Sequence, residues 1–468
     1  MSISREADRT TVNNNHRDAK KQATMRNKKP NQAYPIMKMK YRPFSLQLAG
    51  GPWIFIVTLF LATSMWAQTP APPQDVPVAI HGATIHTITQ GSIEGGTIVF
   101  RDGKITALGT EVDIPGDATL IDASGKHVYP GFIQSISTLG LMEIARIQES
   151  TDLQETGDIN PNIRAHMAFH PVSEHLPVAA VHGVTTVVPL PRGSLIAGRA
   201  AAMVTDGWTW EQMTLREDLG MVIEWPSMRD ASEYKEQMQL LRNAFNQARR
   251  YRKARASAAG NPGHPYDIRW EAMIPVLAGE MPVWVSTGEL RQIQAAMAWA
   301  EEEELSMVLI GSRDMDLVAR QLAARNIPVI LRGVISGPAR QWEAYSEAYK
   351  IPLRLHEAGV NFCIAGDAGA ASTYRIHHHA ASAAAFGLPE EEALKAITIY
   401  PARILGIDDL VGSLEVGKDA TLMITDGNAL ELWTRKEQVF IQGRRIEMMD
   451  KHQRLYEHYL KKHEQETR

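Results

Sequence analysis

The sequence predicts an α/β protein, a TIM-like (β/α)8 barrel joined to a composite β-sandwich domain built from both ends of the chain. Three observations carry this expectation. The stretch Tyr129-Pro130-Gly131-Phe132-Ile133-Gln134-Ser135-Ile136-Ser137-Thr138-Leu139-Gly140 reads as a Pro-Gly turn feeding a short apolar strand that ends in small polar residues. A chain enters the first strand of a barrel in this way, and barrel active sites lie at the C-terminal ends of the strands. Beyond it, apolar strands alternate with amphipathic helices, the βα rhythm of a parallel sheet. Short strands with glycine turns flank that region on both sides, and 468 residues leave room for a barrel of about 250 and a smaller domain.

Composition narrows the function classes. With 44% apolar and 22% charged residues the chain has ample core-forming material. A formal net charge of −4 gives no overall pull toward nucleic acid or anionic membrane. One cysteine, Cys363, rules out an internal disulfide and a cysteine-rich metal knuckle. It sits in the apolar run Asn361-Phe362-Cys363-Ile364-Ala365 and reads as a small buried hydrophobe.

Taken in order, residues 1–67 read as a polar basic tail followed by a signal peptide. Lys38-Met39-Lys40-Tyr41-Arg42 is the basic segment, Trp53 to Ala62 the apolar core, and cleavage is expected after Ala67. Met25 and Met37 are alternative starts for a peptide with so long a tail. The apolar core is shorter than the roughly 20 residues of a spanning helix, which favours export over an uncleaved anchor. The first half of the sandwich is expected over 68–130, where Arg101-Asp102-Gly103-Lys104 carries the Asp-Gly signal of a tight hairpin. The barrel is expected over 131–409, with strands around Val184-Thr185-Thr186-Val187-Val188, Pro282 to Thr287, Ser306 to Gly311, Ile327 to Leu331 and Val360 to Asp367. Strand texture returns over 410–449 as the second half of the sandwich, and 450–468 reads as a C-terminal amphipathic helix lying on the domain or on a partner, with Leu455, Tyr456, Tyr459 and Leu460 at helical spacing.

Several segments resemble the metal-dependent amidohydrolase superfamily, and its imidazolonepropionase-like branch in particular. Pro130-Gly131-Phe132 is similar to the "PGFID" entry to strand one, and Gly387 to Thr398 with Pro401-Ala402-Arg403-Ile404-Leu405-Gly406 is similar to the "GL-x-EEAL" and "PA-x-x-LG" segment. Gly412 to Thr421 resembles the "GSLE-x-GKDADLV" strand pair, and Ile196 to Ala200 and Gly207 to Glu211 also have counterparts. The resemblance implies a barrel hydrolase acting on carbon–nitrogen bonds, of non-peptide or dipeptide-like type. It also implies zinc or another divalent metal, held by a His-x-His pair on strand one, histidines on strands five and six and an Asp on strand eight, sometimes with a carboxylated Lys or an acid on strand four. Such a metal lowers the pKa of its bound water, and the strand-eight Asp takes that proton.

Carried over residue by residue, this chain departs from that set. Ile136 and Thr138 stand at the His-x-His positions, Gln134 at the preceding Asp, Ser286 or Trp284 on strand five and Gly311 on strand six. No lysine occurs between Lys126 and Lys235, which excludes a carboxylated lysine on strand four. Asp367 alone keeps its type and is the candidate catalytic residue, although an Asp at a strand–helix junction is also a common helix N-cap. One carboxylate is not a zinc site, so no cofactor and no metal ligand is assigned.

The other polar clusters have bland readings beside the functional ones. His166 and His170 have i,i+4 spacing, and with Arg164 they are the candidate substrate-binding residues and the place for a relocated metal, although Pro171 ends any helix there. Glu155 and Asp158 lie in the same long segment and read first as solvated loop charges, and Trp208, Trp210 and Trp225 as core or interface aromatics. His377-His378-His379 reads as the start of a surface helix, because adjacent helical side chains diverge by ~100° and cannot share one metal.

Two functional readings follow. One is an exported, periplasmic or cell-envelope hydrolase of the amidohydrolase type. The other is a non-catalytic pseudoenzyme that pairs with an active related subunit or a second copy of itself, or that binds a small molecule. Chemistry by Asp367 with groups of the 155–182 loop, without metal, is a third and weaker one. Losing every imidazole position removes several kcal/mol of Lewis-acid stabilisation with no substitute in view, so the residues lean toward the second. No nucleic-acid partner and, after cleavage, no permanent membrane anchor is expected.

Overall fold

A computed structural model describes residues 69–257 and 265–466. The tail and signal-peptide pattern, its cleavage point after Ala67 and the loop histidine His264 lie outside the described residues. Among those residues, no helix is long and apolar enough to cross a membrane.

Strands β1 (Val78–His86), β2 (Ser92–Arg101), β3 (Lys104–Gly109), β4 (Thr119–Asp122) and β5 (His127–Pro130) open the described chain. Eight strands then form the second sheet: β6 (Phe132–Ser137), β7 (Val184–Pro189), β8 (Ile196–Val204), β9 (Thr214–Glu224), β10 (Val283–Ser286), β11 (Met307–Gly311), β12 (Val329–Arg332) and β13 (Phe362–Gly366). Finally β14 (Leu422–Thr425), β15 (Lys436–Ile441) and β16 (Arg444–Arg445) return to the first sheet, where β14 pairs antiparallel with β5. Both ends of the described chain thus build one sheet, in the order β16-β15-β14-β5-β1-β2-β3 with β4 on β1. It folds over its own apolar core, bringing Phe100 of β2 edge-on to Phe440 of β15 at 5.2 Å.

The sheet from β6 to β13 is the barrel, and its order follows the chain without a crossover. Alternate residues face inward or outward, as the period of a strand requires. Ile133, Val188, Val222, Trp284, Val308, Ile310, Ile330, Cys363 and Ala365 fill the inside. Phe132, Val184, Val283, Val285, Leu309, Val329, Leu331 and Ile364 face the surrounding helices. Cys363 is fully buried and hydrogen-bonded to Ser135 at 3.2 Å, and burial pushes its thiol up to about 12, so it is the small hydrophobe the sequence suggests.

One departure from an all-parallel barrel stands out. β8 runs antiparallel to both β7 and β9. The link from β7 to β8 is only residues 190–195. A parallel crossover needs a dozen or more residues, so a link this short can only return the chain antiparallel. β7 and β8 pair at one end only, through Thr186 with Val204 and Val187 with Met203. The free half of β8 is covered by residues 159–164, which bridge to it at Ile159–Ile196 and Arg164–Arg199.

Between β13 and β6 polar side chains complete the closure. Gln134 Nε2 donates to the carbonyls of Ile136 and Asp367, both at 2.9 Å. Thr138 N–H donates to Ala368 O at 2.7 Å, Ala370 N–H donates to Thr138 Oγ1 at 3.0 Å, and Ser137 and Thr373 share a hydroxyl bond of 2.8 Å.

The C-terminal helix Lys451–Glu466 does not lay its apolar face on the domain. Its first turn is fastened, Arg454 to Glu174 at 2.8 Å and Lys451 to His175 at 3.2 Å, but none of its residues is buried. Leu455, Tyr456, Tyr459 and Leu460 face solvent and not the domain. Helical spacing alone decides which side chains share a face, not whether anything covers it.

Candidate functional site

The mouth of the barrel is the C-terminal ends of β6, β7 and β9–β13, where barrel chemistry is housed. Ile136 is fully buried within the apolar interior. Thr138 spends its hydroxyl on the Ala370 N–H. Ser286 ends β10 half-buried, after the fully buried Trp284. At Gly311 an added Cβ would stand 2.2 Å from Met315 Cε, so a methionine methyl occupies the space a side chain would take. The family resemblance implies a divalent metal here, and the donor set does not fit one. These positions offer no imidazole, and among the described residues no three His, Cys, Asp or Glu side chains converge.

Asp367 lies just past β13 with a half-exposed carboxylate. It caps no helix: the next helical turn, Ala370–Arg375, has Gly369 at its N-cap position. Its neighbours are Arg375 Nη2 at 3.5 Å and His379 Nε2 at 3.7 Å, both from the segment that follows its own strand. Ile335 N–H donates to His379 Nδ1 at 3.2 Å, so the neutral ring carries its proton on Nε2, toward Asp367. Burial holds the His379 imidazole below its ordinary pKa, and the Asp367 charge opposes that. The groups of the 155–182 loop make no contact with Asp367 among the described residues, which removes the partners expected for it there.

The candidate substrate-binding residues divide. His166 is buried and His170 is exposed, because residues 165–168 form a single 3₁₀ turn and not the α-helix that i,i+4 spacing needs. Two side chains so placed do not share a ligand. His166 Nε2 instead lies 3.7 Å from Glu217, with its ring against Trp210. Arg164 reaches Glu217 at 3.5 Å and Asp218 at 3.9 Å, while Arg199 holds Asp218 at 2.6 Å. Arg164, His166, Arg199, Glu217 and Asp218 thus form a charge-compensated cluster that pins residues 159–168 to β8 and β9. Trp225 is buried with Trp299, Trp208 is exposed, and Glu155 and Asp158 are solvated.

Three charged residues that sequence reasoning missed line the mouth. On β9, Glu224 lies two positions beyond the interior residue Val222; on β12, Arg332 lies two beyond Ile330; past β7, Arg192 lies two beyond Leu190. The period of two that places an apolar side chain inside carries Glu224 and Arg332 to the same side, whereas Arg192 lies in the loop past β7. That periodicity, extended past the last apolar residue of each strand, was the available signal. Arg192 and Glu224 are the charges that act on Arg332, whose guanidinium burial holds below its ordinary pKa. Arg192 Nη2 is buried with no hydrogen-bond partner.

Beside the mouth, the loops after β11 and β12 enclose a cavity of about 240 Å³. Two of its arginines are matched by acids: Arg340 grips Asp314 through both nitrogens, at 2.8 and 2.7 Å, and Arg354 pairs with Asp316 at 2.7 Å and Glu347 at 2.8 Å. Arg332 lines the same cavity without an acid partner of this kind.

The triple histidine is no surface helix start. His377 and His379 are buried. The helix Ile376–Ala385, mostly alanine besides the histidines, packs against β13 and β6, against the helix Glu347–Glu357 and against the helix Glu390–Lys395, and is covered on several sides. Desolvation, with repulsion from Lys436 and His378, holds His377 down at about 2. The fold therefore keeps this ring neutral while the unfolded chain takes up its proton below about pH 6.5. Its contribution is intact above that pH and is lost progressively on acidification. The thermal midpoint is expected to fall between pH 7 and pH 5, and His377→Gln to flatten that decline, measured by circular dichroism melts at each pH. An equal slope in the variant would assign the acid sensitivity elsewhere.

Comparison with known proteins agrees with this architecture. The family model described as the amidohydrolase family matches residues 291–447. Amidohydrolase tasK of Hapsidospora irregularis is 23% identical over 387 residues, covering 75% of this chain and 39% of that protein. The chain thus spans about two fifths of that relative's length. An imidazolonepropionase of Symbiobacterium thermophilum is 26% identical over 370 residues, covering 71% of this chain and 84% of its own. The solved amidohydrolase from Thermotoga maritima superposes with a TM-score of 0.73 at 24% identity, over 79% of this chain and 99% of that one. That last likeness is one of fold. The barrel, the co-linear motifs and these relatives together make the chain similar to the amidohydrolase superfamily, and to its imidazolonepropionase-like branch in particular.

Proposed function

We propose that this chain is an exported amidohydrolase-fold protein that binds a small molecule at its barrel mouth and has no metal-dependent hydrolysis of its own. By resemblance its barrel is that of hydrolases acting on carbon–nitrogen bonds. One observation carries the departure from them: strand one, where the family's His-x-His would bind metal, is tied to strand eight by Gln134, Ser137 and Thr138. Those hydrogen bonds do the joining that a shared metal would otherwise do. Asp367 faces Arg375 and His379, so its carboxylate has partners without a metal-bound water. Export rests on the basic–apolar–Ala67 pattern of the sequence.

Metal analysis of the purified full chain, paired with a hydrolysis screen over cyclic amides and dipeptide-like substrates, tests this reading. The expected result is substoichiometric zinc, manganese and iron, with no turnover after metal is added. Near-stoichiometric metal, or turnover abolished by a chelator, would overturn it. A second reading, pairing with an active related subunit or with another copy, draws on the uncovered Leu455, Tyr456, Tyr459 and Leu460 of the C-terminal helix. Co-purification and sedimentation of the full chain distinguish the two.

A further inference from the structure

We infer that the C-terminal helix Lys451–Glu466 pairs antiparallel with the same helix of a second copy of this chain, through a stripe centred on Tyr456 and Tyr459. The inference deepens the second reading above, pairing with another copy, and rests on it. It adds which surface pairs and in what orientation.

The first turn of this helix is held on the domain by Arg454 to Glu174 and Lys451 to His175. From Leu455 to Glu466 every residue is exposed. A helix of that length standing by itself is marginal in water, and most helices are stabilised by packing an amphipathic face. Such a face is present. At about 100° per residue, Leu455, Tyr456, Tyr459 and Leu460 fall within an arc of about 140°. His452 and His463 lie inside that arc, and Glu457, His458 and Lys461 lie outside it.

The order of the stripe selects a second copy. About the midpoint between Glu457 and His458 it reads the same in both directions: His452, Leu455 and Tyr456 stand on one side at the distances of His463, Leu460 and Tyr459 on the other. A two-fold axis asks for this, because residue i must meet residue j as j meets i. Antiparallel about that midpoint, Tyr456 of each copy lies level with Tyr459 of the other, Leu455 with Leu460, and His452 with His463. The steps from His452 to Tyr456, Tyr459 and His463 are four, three and four residues, the spacing by which two helices interdigitate. Lys451 comes level with Glu464, and Arg454, level with Lys461, is already matched by Glu174 at 2.8 Å. A parallel pair would instead set every charge level with its like.

Area sets the strength. Leu455, Tyr456, Tyr459 and Leu460 are 53, 69, 61 and 42% exposed. At roughly 200 Å² for such a side chain they offer on the order of 450 Å² per copy. With the flanking stems, two copies bury about 1,000 Å², the lower bound of a specific interface. Association in about the micromolar range follows.

The test is sedimentation equilibrium of the purified full chain across the micromolar range. A reversible monomer–dimer equilibrium is expected, and Tyr456→Glu, which puts a charge at the centre of the stripe, is expected to weaken it at least tenfold. Tyr456 is exposed in the single chain, so an unchanged circular-dichroism melt will separate this loss from misfolding. Orientation is read by mixing His452→Cys and His463→Cys proteins under oxidised glutathione. Their disulfide-linked heterodimer is expected. His452→Cys alone should not link, because its two copies are set about 16 Å apart along the helix axis, beyond disulfide reach. Cys363 is fully buried and takes no part. A chain monomeric throughout would overturn the inference and the pairing reading with it. A dimer indifferent to Tyr456→Glu would overturn the inference and leave pairing through another surface. Linking of His452→Cys with itself as readily as with His463→Cys would overturn the antiparallel order. Binding of the monomer to phosphatidylcholine–phosphatidylserine vesicles, abolished by Tyr456→Glu, would give the face to a lipid surface instead.

Discussion

Trp284→Ala is expected to destabilise the protein by about 3–5 kcal/mol, among the largest losses available to a single substitution. The indole is the largest fully buried side chain among the described residues and projects from β10 into the barrel interior. It is accommodated because its neighbour on β9 is Gly220, where an added Cβ would stand 2.2 Å from the indole Nε1. A big residue on one strand is thus matched to the absence of one on the next, and the truncation leaves a void that a ring of strands closes poorly. The converse change, Gly220→Ala, overfills the same space and is expected to cost about 1–3 kcal/mol. Trp284→Phe should lose less than Trp284→Ala, since it keeps most of the volume and removes an indole N–H that has no hydrogen-bond partner. Urea unfolding reads all three as shifts in midpoint at constant slope. A loss under about 1 kcal/mol for Trp284→Ala would mean that the interior collapses around the missing ring.

This pairing shows what sequence did and did not make legible. Apolar runs such as Val283-Trp284-Val285 announce a buried strand, and their alternation with helices announces the barrel. Asp367 was placed at the end of the last strand because that strand is continuously apolar up to Gly366. Reversal of β8 was not read, because Ile196 to Val204 is as apolar as a parallel strand and only the shortness of the preceding link betrays its direction. His166 and His170 have a helical spacing that the chain does not adopt there, since the 3₁₀ turn ends at Ala168 and Pro171 follows directly after His170. His377-His378-His379 reads as a surface helix start because adjacent helical side chains diverge, which decides metal sharing and not burial, and this helix is covered on several sides. The mouth charges were missed for a simpler reason. Arg192, Glu224 and Arg332 fall in none of the motifs that carry the family resemblance.

The second large effect tests the replacement of metal by hydrogen bonds directly. Gln134→Asp restores the residue type that the family carries ahead of its His-x-His pair, and it is expected to destabilise this chain by about 3 kcal/mol or more at neutral pH. Gln134 is fully buried, and its amide nitrogen donates to Ile136 O and Asp367 O at 2.9 Å each. An ionised carboxylate in that place offers only acceptors to two carbonyl oxygens, leaving both unsatisfied and burying a charge with no cation beside it. The introduced acid is therefore expected to carry a raised pKa in the fold, protonating to donate one of the two lost bonds. The sign follows: with the folded pKa above the unfolded value near 4, the deficit is smallest below that value and grows as pH rises through the folded pKa. Gln134→Asp should thus regain stability relative to the native chain on moving from pH 7 to pH 5, against the acid-labile trend set by His377. Gln134→Glu, longer by one methylene than Asp, should show the same sign. Urea midpoints at the two pH values read the difference. A Gln134→Asp protein as stable as the native chain at pH 7, or one that takes up a stoichiometric divalent metal, would show that the strand-one to strand-eight closure still accepts the chemistry the family uses.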